Sequence, residues 1–306
     1  MKYINNENFN LKNTVVSIGI FDGIHQGHQK LILQNKKSAI ENNLSSVALT
    51  FSPHPRTVIF DENIPSILTS LEKRRIFSEF SLDYFIEYPF NMEFSKLNPD
   101  DFFDTIIIKK LGCKIIVVGE GYRFGAKQRG DIKYLKKLCD NAGIILETAA
   151  HVNDGDVKIS SSSIRKLIAK SDFETAERYL TRPYFITGVV LKGKQLGNTI
   201  GFPTANLILP QNKLLPTNGV FATKVIIDGK EYIGATNVGN NPTVDGKFIT
   251  VETFVINFNE EIYDKEIKVL FNKKIREEMK FPSLDELKKQ INNDVSDIKT
   301  YFGRSC

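Results

Sequence analysis

The sequence predicts an α/β chain in two parts, a mostly parallel sheet covered by helices and then a small antiparallel β-barrel with terminal helices. Three observations carry that expectation. In the first half, short continuous apolar runs alternate with amphipathic stretches, the pattern of strands buried on both faces of a sheet. In the second half, period-2 alternation dominates, as in half-buried antiparallel strands. The change of rhythm falls at Arg182-Pro183, and 306 residues leave room for two domains. The expected domains are residues 1–183 and 184–306.

The elements follow in order. Residues 15–20 read as a buried strand, 29–42 as a helix and 46–51 as a second strand. Asn98-Pro99 supplies an N-cap and an N1 proline for a helix ending near Leu111. Residues 114–118 form a third strand, 132–141 a helix and 143–148 a further strand. A helix ending near Tyr179 precedes the boundary. The barrel strands are expected at 184–191, 219–227, 231–237, 250–258 and 266–271. Asp228-Gly229 marks a hairpin turn between two of them. Two helices, 284–293 and 295–301, close the chain.

Bulk properties narrow the class. Hydrophobic residues make up 41% and charged residues 25%, as in an ordinary globular protein. The formal charge of +5 suits anionic ligands such as nucleotides, but no clustered Lys/Arg stripe points to nucleic acid. Cys113, Cys139 and Cys306 are dispersed, which argues against a disulfide framework or zinc site and fits a reducing cytosol. Residues 1–11 lack the apolar core of a secretory signal, and no apolar run approaches a membrane span. A cytoplasmic location is expected, with no membrane partner. The oligomeric state stays open.

The first site lies between the first strand and first helix, in Gly-Ile-Phe-Asp-Gly-Ile-His-Gln-Gly-His, residues 19–28. Gly19, Gly23 and Gly27 allow close approach of backbone to ligand, with Phe21 and Asp22 between them. The helix start offers unpaired N–H groups to an anion. His25 and His28, three apart at that start, are able to aim both imidazoles at one phosphate and stabilise charge during nucleotidyl transfer. A metal pair and a solvated surface pair are the competing readings. Residues 50–56 place His54 and Arg56 after the second strand, and 117–125 follow the third. The run Ile-Ser-Ser-Ser-Ser-Ile-Arg, residues 159–165, reads as a capped helix start with hydroxyls and Arg165 within reach of phosphates. Such a serine run also suits an ordinary cap or loop.

The second site joins Gly193, Gly197 and Gly201 to Phe202-Pro203-Thr204-Ala205-Asn206. The glycines suggest a ligand-hugging loop, though without the Gly-Lys-Ser/Thr of a Walker A motif. Thr204 and Asn206 are two apart on an expected strand, so their oxygens share a face and suit Mg²⁺. Glu252 is expected on a face with Phe254, Ile256 and Phe258. A carboxylate there is costly without a partner or a task, and desolvation should raise its pKa toward that of a general base. A structural ion pair at the barrel rim is the alternative.

A family resemblance can now be stated. Residues 19–28 resemble the His-x-Gly-His signature of the nucleotidyltransferase superfamily. Together with Pro53-His54-Pro55, residues 117–125 and residues 160–165, they are similar to the FMN adenylyltransferase module of bacterial riboflavin kinase/FAD synthetases. The resemblance implies a Rossmann-like domain in which His25 and His28 contact ATP phosphates. It implies that Ser161, Ser162 and Arg165 hold the triphosphate, with His54 and Phe124 on the flavin side. Residues 193–206, 219–221, 236–243 and Glu252 are similar to the riboflavin kinase module, a six-stranded antiparallel barrel. There Thr204 and Asn206 would bind Mg²⁺–ATP, Glu252 would deprotonate riboflavin, and Arg276 would lie near the flavin.

Three positions depart from the pattern. Gly121 stands where Asn or Asp is usual, Ser163 where Arg is frequent, and Asn198 where Arg is usual. The implied function is riboflavin to FMN and then FMN to FAD, each with ATP. Its partners are the small molecules riboflavin, FMN and ATP, with Mg²⁺ as cofactor and FMN and FAD as products. A one-step enzyme and a flavin-binding regulator without turnover are the alternatives.

Overall fold

The computed structural model describes residues 1–192, 201–210, 212–243 and 246–303, with backbone alone for 240–243 and 246–249. Gly193, Gly197, Asn198 and Cys306 lie outside the described residues. Two compact units divide the chain, Met1–Ser163 and Ile164–Cys306.

The first unit is built on six strands: β1 Lys2–Ile4, β2 Thr14–Ile18, β3 Ser45–Ser52, β4 Tyr84–Pro89, β5 Cys113–Gly119 and β6 Ile145–Ala149. They lie in the order β1-β4-β3-β2-β5-β6, and every pair is parallel. All five residues of β2 are buried, as befits a central strand, and the hydroxyls of Thr14 and Ser17 donate to the Leu111 and Val47 carbonyls at 2.7 and 3.4 Å. From β2 the chain winds outward through β3 and β4, then returns to place β5 on the other side. The β2/β5 boundary is therefore the topological switch point, where the carboxyl ends of the strands open a crevice. The Rossmann-like expectation stands.

Helices α1 Gln26–Glu41, α2 Pro55–Phe60, α3 Ser70–Glu79, α4 Pro99–Phe102 and α5 Ile132–Ala142 connect the strands, and α4 continues as a π-helix over Phe103–Lys110. The Asn98 side chain caps α4 by accepting the Asp101 amide at 2.8 Å, with Pro99 at its start. Asp131 caps α5, which ends on Gly143 at φ +65°. Gly143 is thus a left-handed helix stop, and the strand expected at 143–148 begins at Ile145. Among the elements that escaped the sequence reading are β1, which is short, α2, α3, which carries no clean apolar period, and β4. A two-stranded hairpin follows, β7 Asn153–Asp154 with β8 Val157–Lys158. Helix α6, Ser161–Ala169, starts in the first unit.

In the second unit, α7 Phe173–Leu180 precedes β9 Phe185–Leu191, β10 Thr204–Ile208, β11 Gly219–Ile227, β12 Lys230–Thr243, β13 Gly246–Val255 and β14 Glu266–Arg276. These six strands close into an antiparallel barrel in the order β10-β13-β12-β11-β14-β9. Asp228 and Gly229 both have positive φ, +48° and +80°, as the tight β11–β12 turn demands. Inside the barrel Thr223, Thr236 and Thr253 are fully buried. Their hydroxyls satisfy one another at 2.8 and 3.0 Å, and Thr223 also donates to the Gly234 carbonyl. Phe173 of α7 packs against Tyr184, Phe221 and Phe271.

One helix, α8 Leu284–Gly303, replaces the two expected at the end. The polar Asn293-Asp294 pair resembles a break in the sequence. Asp294 is instead buried and takes the Arg276 guanidinium, at 3.0 Å from Nε and 2.9 Å from Nη2. That pairing offsets the cost of a carboxylate on the packed face of a continuous helix. Its neighbours Ile298 and Phe302 join Ala222, Ile256 and Phe254 in an apolar cluster on the outside of the barrel.

Candidate functional sites

The loop after β2 turns sharply, with positive φ at Phe21 (+51°), Gly23 (+84°) and Ile24 (+42°). Such a turn is strained at the two non-glycine positions and persists only when its surroundings hold it. They do. The Ile20 carbonyl accepts the Thr50 hydroxyl at 2.9 Å and the Lys73 ammonium at 3.1 Å. The Asp22 carboxylate accepts the Ile67 and Leu68 amides, both at 3.2 Å. The Asp22 carbonyl accepts the Ser161 hydroxyl at 2.7 Å, and the Ile24 carbonyl accepts the Gln29 side chain at 2.9 Å.

The loop delivers His25 to the N-cap of α1 and His28 to its first turn, three residues earlier in helix than the sequence suggests. The two imidazoles stack with centroids 3.8 Å apart and planes at 23°. Phe21 is fully buried and meets the His28 ring edge-on at 5.3 Å. His28 is partly exposed, yet its Nδ1 is buried and has no hydrogen-bond partner among the described residues. Burial, then His25, then Lys73 push its pKa well below the ordinary histidine range. No acidic residue stands in the first turn of α1. The ensemble is a stacked imidazole pair at the start of a helix, an arrangement suited to an anion.

Glycines in this loop have packing roles. A side chain on Gly19 would press on the Phe21 ring at 3.2 Å, and one on Gly27 on the His25 ring at 3.2 Å. Ser161 opens α6, Ser162 is exposed, and Arg165 lies one turn further along the same helix. Ser163 and Ser160 bond each other reciprocally, the Ser160 amide to the Ser163 hydroxyl at 2.9 Å and the Ser163 amide to the Ser160 hydroxyl at 3.2 Å. At this position an Arg would leave the helix start without that bond.

The structure places the other expected residues as follows. His54 caps α2, its Nδ1 accepting the Arg56 amide at 3.2 Å. Phe124 is buried in the core, stacked on Tyr122 at 5.8 Å. Gly130 must be glycine, because a Cβ there would sit 2.5 Å from the Phe124 ring. Over Gly121 stands the His151 imidazole, 3.3 Å from where a Cβ would be, with its Nε2 2.9 Å from the Lys158 ammonium.

In the barrel, Glu252 lies opposite Asn206 on one side and Asn237 on the other. Directly opposed residues share a face of a sheet. Two residues along, Phe254 is opposite Thr204 and Ala235. Thr204, Asn206, Glu252 and Asn237 therefore occupy one face, and it is the outer one. Val251, Thr253 and Val255, the alternate residues, are buried inside. β13 ends at Val255, so the expected apolar face reaches only to Phe254. Ile256 has left the strand, and Phe258 packs on Tyr232. Asn257 at φ +59° makes the turn that ends it.

Glu252 is half-buried, and burial alone pushes its carboxyl pKa up. Phe202 packs edge-on against Phe254 at 5.2 Å nearby. Gly201, at φ +84°, turns the chain into Phe202. Asn237 was invisible to sequence reasoning, because its register opposite Glu252 exists only in the sheet. Arg276, expected at the flavin end, is engaged by Asp294 of α8, and its guanidinium lies 5.6 Å from the Phe281 ring centroid.

Residues 7–163 match the family model described as FAD synthetase, and residues 180–302 match that described as riboflavin kinase. The chain is 36% identical to a bifunctional riboflavin kinase/FMN adenylyltransferase of Buchnera aphidicola, over 95% of this chain and 94% of that one. It is 35% identical to the protein of the same description in Escherichia coli, over 94% of this chain and 93% of that one. A crystal structure described as a macrolide-efflux protein from Streptococcus pneumoniae superimposes with TM-score 0.88 at 31% identity, covering 97% of this chain and 98% of that one. Among the described residues of this chain, no helix is long and apolar enough to cross a membrane. With both halves matched, the chain belongs to the family of bifunctional riboflavin kinase/FMN adenylyltransferases.

Proposed function

We propose that the chain makes FAD in two ATP-dependent steps, phosphorylating riboflavin to FMN on the barrel and adenylylating FMN to FAD on the parallel sheet. The observation that carries this reading is that one family model covers each of the two units. Residues 1–183 are assigned the adenylyltransferase and 184–306 the kinase, although α7, which precedes that boundary, packs on the barrel.

In the first step Glu252 takes the proton of the riboflavin 5′-hydroxyl as its oxygen bonds to the γ-phosphorus of ATP and ADP departs. Its raised pKa fits a base that holds the proton firmly once taken. Thr204 and Asn206, hydroxyl and amide oxygens on one face, are hard donors that fit Mg²⁺. Among the described residues no cluster of three His, Cys, Asp or Glu is available for a metal, which suits an ion held largely by nucleotide phosphates. Bound there, Mg²⁺ would neutralise charge developing on the phosphates. Gly201, with Gly193 and Gly197, is assigned to ATP, and Arg276 to the flavin.

In the second step a phosphate oxygen of FMN attacks the α-phosphorus of ATP, and pyrophosphate leaves. His25 and His28 donate to the α-phosphate oxygens as charge builds there. Backbone at Gly19, Phe21, Asp22 and Gly23, with Ser161, Ser162 and Arg165, cradles the triphosphate. His54 and Phe124 serve the flavin side. The enzyme acts in the cytoplasm, where its free Cys113 and Cys139 stay reduced.

Incubating the purified chain with riboflavin, ATP and Mg²⁺, and separating the flavins, tests the proposal. FMN and then FAD are expected, and neither without Mg²⁺. FMN alone would remove the second step; tight flavin binding without product would favour a regulator.

A further inference from the structure

Lys73 of α3 is 8% exposed. A lysine so deeply placed is costly unless paired. The Asp22 and Glu87 carboxylates are near enough to favour its charged form, against the burial that lowers its pKa. Both carboxylates are fixed. Asp22 holds the Ile67 and Leu68 amides, and buried Glu87 accepts the Tyr3 hydroxyl at 2.7 Å and the Ser70 hydroxyl. Helix α3 is itself anchored by a capping box between Thr69 and Glu72. An apolar side chain would fill the same space without desolvating a charge. What lysine adds is a donor to the Ile20 carbonyl and a cation under the loop.

We propose that Lys73 is a positioning residue of the adenylyltransferase site: its side-chain nitrogen fixes the Ile20 carbonyl, and so the turn that presents His25 and His28, and brings positive charge under that turn. The proposal rests on the reading of that loop as the ATP phosphate site. The charged and titratable groups that act on His28 are His25 on its own helix and Lys73 from α3, with Phe21 against its ring. A cation at Lys73 disfavours a second one on His28. The charged form of His28 is thereby disfavoured in the empty site, and a polyphosphate entering it would favour its protonation.

The test uses the full chain with riboflavin phosphorylation as its internal reference. Lys73→Met removes donor and charge; Lys73→Arg keeps both. The Met variant is expected to lose about tenfold or more in kcat/KM for FMN adenylylation, with kinase turnover unchanged and the Arg variant recovering most of the loss. His28 followed by NMR should titrate at higher pH in Lys73→Met than in the wild type. Wild-type adenylylation in the Met variant, an unmoved His28 titration, or an Arg variant as damaged as Met would overturn the proposal. If the Met variant does not fold, the wild type decides alone. There His28 should remain neutral through physiological pH and take up a proton when ATP is added. Titration of the empty site near 6.5 would overturn the idea. Absence of adenylylation in the wild type would instead refute the reading of the loop, while the titration still reports on Lys73.

Discussion

Glu252 and Asn206 face each other across the β10–β13 pair, on the outer surface of the barrel rather than inside it. The carboxylate thus sits beside an oxygen donor expected to serve ATP, half-buried on the outer face of the sheet.

That placement separates activity from stability. Glu252→Gln is expected to lower FMN formation by about 10²–10⁴-fold while FMN-to-FAD conversion continues. The folded pKa of Glu252 is raised, so the folded protein binds this proton more tightly than the unfolded chain. Stability from this group is greatest below the unfolded pKa and falls as pH rises through the raised one. At neutral pH the Gln variant should therefore melt no lower than the wild type. The acid limb of the kinase pH–rate profile should lie above the ordinary carboxylate range. Loss of both activities together would sink the two-site assignment.

His28→Ala is expected to cut FAD formation by about 10²-fold or more and leave riboflavin phosphorylation intact. Assaying each step with its own flavin substrate checks this. A kinase defect of similar size would count against the assignment.

Asp22 holds two buried amides with one carboxylate. Asp22→Ala should cost about 1–3 kcal/mol and abolish adenylylation by releasing the turn at Phe21–Ile24. Urea unfolding measures the first effect. Asp22→Asn, which keeps one acceptor oxygen, should be milder.

Arg276 and Asp294 form a pair whose side chains are 16% and 4% exposed. Asp294→Ala strands the guanidinium and should cost about 3 kcal/mol, with faster amide exchange along α8. Replacing both residues by apolar ones of similar size should recover most of that loss. A double-mutant cycle gives the coupling.

Much of this was legible in the chain itself. Continuous apolar runs such as residues 115–118 are buried because a central parallel strand has helices on either side, and the run alone reports that. Asn98-Pro99, Asp228-Gly229 and residues 19–28 act through local backbone chemistry, which needs no distant partner. These features were enough for the fold class; the family came from the resemblance of residues 19–28 and 202–206 to known motifs.

Tertiary structure decided the rest, wherever a residue's meaning depends on what lies across from it. The face of Glu252 follows from strand register, which a sequence period leaves ambiguous by one side of the sheet. The unbroken α8 depends on Arg276, 18 residues away from Asp294 in the chain. Lys73 has no motif, and its place under Ile20 comes from packing α3 against the loop after β2. Periodicity and spacing determined that there are two folds; contacts between distant segments determined which side chains lie together and which hold them in place.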